Sequence, residues 1–517
     1  MIAPLRVARA AMSRHRAFAV VLALALVVHA LAYYAFFPAL FFADSWVYLG
    51  LAWDPAEDFV GLSFARPSGY PMFLWALEPF VGEHVARVAL VQQLLAVAVG
   101  VIVYVVLDRL GVRPWIAIAA AALVLFDAYV LTLAQTMLGD TLVMTLVILA
   151  VAVVALLPPR QRWGVAWAVA LAALAGLMIG YGVTVRTVTM FAFPVVFAYL
   201  LWARKGWLVI AAGTLGFLAP VLGYQQWHKD RTGTYSFTQA DGWYLYARIG
   251  EIGQCGDARI PAAARGLCPQ LENPPRHAYI HLWGWTQSPA VRTFGAGPQD
   301  ARPEVNAALK DFAIAIIKDR PLRYGRMVGA DVARYFLPGV HGESGSDSVL
   351  QGEIQPPPAD PTHEQSYQRW APRYDRAGGP RLPEAAVDAY ARWLHTPRWL
   401  LGIGTLLAGL AIAASVPLQG RVRLEHRREA FLLLGSGLAL VVGATATSEF
   451  VLRYLIPALP LLWAGIALVL ADMLALRRGR GPRRLDARPG RCSRTRQTSA
   501  SKRCASSAAT RSKSSVH

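Results

Sequence analysis

The chain has 517 residues, is 55% hydrophobic and only 16% charged, and has a mean hydropathy of +0.38, whereas an ordinary soluble chain is roughly 25% charged. A purely soluble protein is excluded, and because the apolar residues gather into long charge-free stretches, the unit of organisation is the bilayer span. The net charge of +19 does not indicate nucleic-acid binding: positions 477 to 517 hold thirteen Lys or Arg against one acid, Asp486, so this tail alone carries +12 of it.

In chain order, a basic start with Arg6, Arg9, Arg14 and Arg16 leads into a first uncharged run, Ala17 to Ala43, which is too long for a signal peptide and reads as an anchor. Further uncharged runs lie at Val88 to Leu107, Thr141 to Pro159, Trp163 to Val185, Thr187 to Ala203 and Gly206 to Trp227, then at Trp399 to Gly420, Ala430 to Ser448 and Tyr454 to Ala471. A tenth, Pro114 to about Leu133, is interrupted by Asp127. As helices, each crosses or nearly crosses a ~30 Å hydrocarbon core. The expected fold class is mainly α: a polytopic membrane protein of about ten transmembrane helices with one extracytoplasmic domain of α and irregular structure.

Sidedness follows from the basic residues, which concentrate in cytoplasmic loops. With the amino terminus inside, Arg109 and Arg113, Arg160 and Arg162, Arg204 and Lys205, Arg421 to Arg428 and the basic tail all fall in the cytoplasm. The chain then divides into a basic amino terminus (1–16), helices one to seven (17–227) with an acidic outer loop (42–83), an extracytoplasmic domain (228–397), helices eight to ten (398–476) and a tail (477–517). The tail is too poor in large apolar residues to fold, and reads as a disordered segment touching anionic lipid.

In the outer domain, Pro303 to Phe336 reads as one or two amphipathic helices with Phe312, Ile316 and Ile317 on one face and a break at Pro321. Gly342 to Gly379 reads as an irregular loop. Cys255 and Cys268 enclose a short loop on the oxidising side of the membrane and are expected to be bridged; Cys492 and Cys504 in the tail are not. Trp243, Tyr244, Tyr246, Trp283 and Trp285 offer stacking faces for sugar rings, although such clusters more often build a small domain's core. His395 and Trp399 sit where the chain re-enters the membrane and are candidates to line an acceptor entrance.

The chemistry points to the helix ends. Asp44 follows the first span, and if helix continues there Tyr48 shares its face and can orient it. Arg66 stands in Arg66-Pro67-Ser68-Gly69-Tyr70-Pro71, where two prolines and a glycine hold a guanidinium in a rigid turn suited to phosphate. This arrangement of an acid after the first helix, a Tyr four residues on, and an Arg before Pro, a small residue, Gly, Tyr and Pro resembles the GT-C glycosyltransferases. The likeness is to the branch of protein O-mannosyltransferases and lipid A aminoarabinose transferases. Gln135 to Asp140, and Ser448 to Tyr454 with Pro457 and Pro460 beyond, fit the same pattern. Two departures stand out: the first loop lacks paired acids, and the second acid is Asp where Glu is common.

The resemblance implies a polyprenyl-phosphate-linked sugar as donor and a hydroxyl on protein, lipid or polysaccharide as acceptor. Such transfer needs a base for the acceptor and cations for the departing phosphate, but no general acid, because phosphate leaves as a stable anion. Asp44 is the candidate base, with desolvation expected to raise its pKa, and Asp140 the second catalytic acid. Arg66, Arg186 and Arg453 are the phosphate candidates, and Tyr48, Tyr70, Tyr454 and His395 the positioning candidates. The residues imply no particular cofactor. A divalent cation held by Asp44 with Asp140 or Asp127 is the one option the acids leave open. Two rivals predict other arrangements: a transporter would carry acids at mid-membrane, and a noncatalytic subunit would leave Asp44, Arg66 and Arg453 apart.

Overall fold

The computed structural model describes residues 2–53, 59–157, 164–256, 259–271, 278–284, 286–338, 381–415 and 424–477. The Gly342–Gly379 segment, Trp285 and the tail beyond Arg477 lie outside the described residues. Among the described residues the protein is helical without strands; its one β contact is an isolated parallel bridge between Leu40 and Thr136. It is a mainly α, polytopic membrane protein, with, among the described residues, seven helices long and apolar enough to cross a bilayer, or eight if one bent pair counts as a span.

Among the described residues each of the ten apolar segments carries a helix, but not all are full spans. The first helix, α1 (Ile2–Ala35), ends eight residues earlier than hydropathy alone implies. Pro38 cannot donate to a helical ladder, and Leu40 instead exchanges backbone hydrogen bonds with the Gln135–Met137 stretch, donating to the Gln135 carbonyl at 3.0 Å and accepting from the Met137 amide at 3.0 Å. Helix then resumes as α2 (Ala43–Trp53), followed by α3 (Gly69–Val81) and α4 (Val85–Arg109). The interrupted span becomes α5 (Pro114–Leu125) and α6 (Ala128–Gln135), bent by 47°. Asp127 at the bend is a cap: its Oδ1 accepts from the Tyr129 and Val130 amides at 2.9 and 3.1 Å. Two expected spans are short: α7 (Asp140–Ala155), and the 3-10 turn Thr187–Phe191 with α9 (Ala192–Trp202). At a 1.5 Å rise, sixteen residues give about 24 Å, less than the hydrocarbon thickness.

Between them runs α8 (Val165–Val185), which packs along α10 (Trp207–Thr232). Glycines permit the approach: a Cβ at Gly176 would lie 2.0 Å from the Gly213 carbonyl oxygen, and one at Gly216 2.2 Å from that of Ala173. Small residues of this kind let helices pack closely where lipid provides no hydrophobic drive.

A second helical domain, with a core of its own, comprises α11 (Asp241–Ile249), α12 (Ala278–Trp283), α13 (Pro289–Phe294), α14 (Pro303–Asp319) and α15 (Pro321–Arg334). Pro321 separates α14 from α15, and Phe312 and Ile316 join Trp243, Tyr246 and Leu309 in the core. Cys255 and Cys268 are bonded. The domain is anchored on the bundle by Tyr324 Oη, which donates to the Ala446 carbonyl at 2.6 Å, and by Tyr335 Oη, which donates to that of Val451 at 3.0 Å. After α16 (Glu384–Trp393) come α17 (Arg398–Ala414), α18 (Arg427–Thr447), a 3-10 turn over Leu452–Ala458 and α19 (Leu459–Arg477). The stretch carrying α16 crosses the ends of the first helices: Arg381 N–H donates to Ala35 O at 2.8 Å, Tyr390 Oη to Phe126 O at 2.8 Å, and Leu394 O accepts from Ala128 N–H at 2.7 Å.

Candidate active site

Buried amide side chains decide which helix ends meet. Gln92 and Gln93 sit side by side in α4, almost without solvent contact. Gln92 Nε2 donates to the Ala134 and Thr136 carbonyls at 3.1 and 2.8 Å, while its Oε1 accepts from Tyr70 Oη at 2.8 Å. Gln93 Nε2 donates to Leu131 O and to Gln135 Oε1, and its Oε1 meets His29 Nδ1 of α1 at 2.6 Å. Gln135 Nε2 in turn donates to Phe36 O at 3.2 Å. Polar groups in a low-dielectric interior require such partners, and their pairing fixes the segments leading to Asp44 and Asp140 beside one another.

The Arg66 turn is held from two sides. Ser63 Oγ accepts from the Ala65 and Arg66 amides, and the Ser68 amide donates to Tyr224 Oη at 2.9 Å. A Cβ at Gly69 would come within 2.4 Å of the Thr184 carbonyl, so only glycine lets α3 start against the end of α8. That end carries Arg186, immediately after Val185.

The charged side chains converge. Arg66 Nη2 lies 2.9 Å from Asp44 Oδ1, and Arg453 Nη2 lies 3.6 Å from Asp44 Oδ2. Arg186 Nη1 meets Asp140 Oδ2 at 2.5 Å. The Tyr454 ring lies against both Arg186 (4.7 Å) and Arg453 (5.6 Å), and Phe42 lies against Arg453 at 4.6 Å. Tyr244, from α11, places its hydroxyl on Arg66 Nη1. Three guanidinium groups against two carboxylates leave one positive charge uncompensated. It is most exposed in its chemistry at Arg453, which is 3% solvent-accessible yet whose Nε and Nη1 have no hydrogen-bond partner among the described residues. A buried cation with free donors is a site prepared for an anion.

The electrostatics reverse one expectation. Burial works to raise the Asp44 carboxyl, but Arg66, Arg453 and, more weakly, Arg186 together outweigh it and hold the group below the ordinary carboxylate range. Burial, with the neighbouring Asp44 charge, pushes the Tyr48 phenol up, and burial pushes Tyr244 up to about 12 against the opposing pull of Arg66.

Other expected residues fall elsewhere. Tyr48 is buried with its ring edge-on to Tyr70 at 5.2 Å, and no hydrogen bond joins it to Asp44 among the described residues. Tyr70 serves the Gln92 network. His395 Nδ1 bonds the Ala391 carbonyl at 3.0 Å and its ring meets Tyr129, so its contacts are not with the arginine cluster. Asp127 is occupied by capping and by the Thr396 amide at 2.6 Å. Trp243 and Tyr246 are core residues, and Trp283 lies edge-on to Phe64 at 6.2 Å. Among the described residues no group of three or more His, Cys, Asp or Glu is placed to hold a metal ion.

Comparison with known proteins places the resemblance on one stretch. The family model for dolichyl-phosphate-mannose-protein mannosyltransferases matches residues 68–221, from the Ser68-Gly69 turn through Asp140 and Arg186. The likeness carried by the motifs thus also emerges from a family comparison over that segment. No curated protein matches the sequence. The crystal structure of ArnT from Cupriavidus metallidurans bound to undecaprenyl phosphate is similar at 14% identity over 87% of this chain and 78% of that one, with a TM-score of 0.35.

Proposed function

We propose that this protein is a membrane glycosyltransferase of GT-C type that moves a sugar from a polyprenyl-phosphate donor to an acceptor hydroxyl on the extracytoplasmic face. The observation that carries the reading is Arg453: a buried guanidinium with two unpartnered nitrogens, 3.6 Å from a carboxylate. The match of residues 68–221 to the mannosyltransferase family model supports it. In this reading positions 17–227 and 398–476 form the membrane part, 228–397 the extracytoplasmic domain, and both termini, 1–16 and 477–517, lie in the cytoplasm.

The donor phosphate takes the place left at Arg453 and shares Arg66 and Arg186. As it does so it competes with Asp44 for Arg66 and Arg453, which weakens the hold on the carboxylate and makes it a stronger base where the acceptor arrives. Asp44 accepts the acceptor's proton while the hydroxyl oxygen attacks the anomeric carbon from the face opposite the phosphate, so the configuration inverts. The phosphate departs as an anion onto the guanidinium groups without a proton donor. Asp140 keeps Arg186 aimed, Tyr454 supports both arginines, and Tyr244 brings the soluble domain, and with it a protein, lipid or polysaccharide acceptor, to the site. The guanidinium charge does the work a divalent cation would do, so turnover is expected to persist in EDTA.

A noncatalytic subunit predicts that Asp44, Arg66 and Arg453 stay apart, and their convergence speaks against it. The test is a transfer assay on the purified chain with radiolabelled polyprenyl-phosphate sugars. Asp44→Asn is expected to lower kcat by roughly 10²–10⁴-fold. Equal turnover by the variant removes Asp44 as base, and no turnover with any donor returns the subunit reading.

A further inference from the structure

Away from the Asp44 cluster, a further buried ion pair lies between α11 and α15, and the transfer chemistry uses neither of its groups. Arg248 is 4% exposed, and its Nη2 lies 2.7 Å from Oδ2 of the buried Asp331. Two ions withdrawn from water contribute little net stability, because desolvation offsets most of their attraction, yet they tolerate only a narrow geometry. Arg248 Nε is enclosed without a partner among the described residues, which lowers the stabilising share still more. Such a pair is suited to fixing register, here that of α15 against α11.

The neighbours of the pair show what that register controls. Arg248 stands one helical turn after Tyr244 on α11, so both side chains leave the same face, and Tyr244 places its hydroxyl on Arg66. Asp331 stands one turn before Tyr335, at the end of α15. Tyr335 Oη donates to the Val451 carbonyl at 3.0 Å and accepts from the Val451 amide at 3.4 Å, while its ring meets Phe450 at 4.6 Å. Arg334, whose Nη1 lies 3.3 Å from Asp331 Oδ1, also covers the Phe450 ring at 4.7 Å. The last turn of α15 thus grips residues 450 and 451, and Arg453 follows two positions later. One face of α11 therefore touches Arg66 directly and reaches Arg453 through α15, and these are the two guanidinium groups that share Asp44.

We infer that Arg248 and Asp331 are positioning residues: their ion pair sets α15 on α11 and, through Tyr335 and Val451, holds the Arg453 guanidinium where a donor phosphate meets it. The phosphate rests on the glycosyltransferase reading, whereas the placement of Arg453 rests on the contacts alone.

The test replaces the pair in the full chain by apolar groups, Arg248→Met with Asp331→Leu, which leaves neither partner as a lone buried charge and is expected to keep the wild-type Tm. Amide exchange over residues 450–453 is expected to quicken by about 10-fold, the worth of one hydrogen bond, while α14 stays protected. The KM for a polyprenyl-phosphate sugar is expected to rise by about 10-fold, more than kcat falls. Arg248→Lys, which keeps the charge but loses the fork, is expected to fall between the two and serves if the double variant does not fold. In an Arg453→Met background the double variant is expected to cause no further loss of affinity for polyprenyl phosphate, read from the Tm, whereas Tyr244→Phe, acting through Arg66, still causes one. Wild-type exchange and wild-type KM in a folded variant overturn the inference. So does an undiminished loss of affinity in the Arg453→Met background, because the pair then acts without Arg453. Quickened exchange in a chain whose wild type binds no polyprenyl phosphate upholds the placement of Arg453 and removes the glycosyltransferase reading instead.

Discussion

Replacing Arg453 by methionine removes the guanidinium while keeping much of the side chain's length, and two energies separate cleanly. In the unliganded protein, Arg453 lies 3.6 Å from Asp44, a gross attraction of about 4–5 kcal/mol at an effective dielectric of about 20. Desolvation of both ions takes back a comparable amount. Asp44 keeps Arg66 at 2.9 Å, so no carboxylate is left unpaired, and two unsatisfied buried N–H groups disappear. Stability is therefore expected to change by no more than about 1–2 kcal/mol. Donor binding behaves differently. The lost nitrogens are those the structure leaves free, and charge-assisted bonds to phosphate contribute about 2–4 kcal/mol together, or roughly 30- to 1000-fold in Kd. The assay is the polyprenyl-phosphate concentration dependence of the Tm, alongside the KM for donor. A folded Arg453→Met protein that binds donor like the wild type refutes the reasoning. So does a collapse in Tm with donor affinity intact, because Arg453 would then be a structural residue.

The pH profile is a second check. Asp44 is held below its ordinary value of 3.8, so its contribution to stability is complete above the unfolded-state pKa and is lost only as pH falls through the lower folded value. On the acid side, kcat/KM is expected to stay flat down to about pH 4–5, and an acid limb near neutrality that moves with Asp44→Glu contradicts this. Tyr335→Phe removes the hydroxyl bonded to the Val451 carbonyl, two residues before Arg453. It should cost about 1–3 kcal/mol and raise the donor KM more than it lowers kcat, whereas a purely structural role would reduce stability alone. Double replacement of Cys255 and Cys268, separated by 13 positions, should cost the α11–α15 domain about 3 kcal/mol. Hydrogen exchange should register that loss in α11 to α14 and leave the apolar helices unchanged. EDTA treatment is expected to leave initial transfer rates within about twofold, and loss of activity restored by one divalent ion would assign the carboxylates to a metal.

Much of the molecule was legible in its linear order because bilayer insertion is a local requirement. A segment either offers enough consecutive apolar residues to span hydrocarbon or it does not, and among the described residues each of the ten apolar runs carries a helix. The break at Pro321 was readable for a similar reason: proline acts on its own turn. Asp44, Arg66, Arg186 and Arg453 could be singled out because charge is scarce near apolar spans. Less legible were the early end of α1 and the short α7. The end of α1 depends on Leu40 pairing with Thr136, a contact between segments far apart in sequence, and nothing in the linear order marks where α7 stops. The adjacent Gln92 and Gln93 inside an apolar run were the overlooked signal, since two amides there demand partners.

By itself, then, the sequence determined that the chain is a helical membrane protein, where its apolar helices lie, and which few charged side chains have chemistry to offer. Only the tertiary structure decided that Arg66 and Arg453 share Asp44, that Arg186 belongs to Asp140, that Tyr244 reaches the cluster from α11, and that, among the described residues, Tyr48 packs on Tyr70 without a hydrogen bond to Asp44 while His395 bonds the Ala391 carbonyl. It also decided the sign of the Asp44 shift. Hydropathy accumulates along neighbouring residues, whereas the field at a buried carboxylate depends on separations of a few ångströms between groups about four hundred positions apart in the chain, which no local pattern encodes.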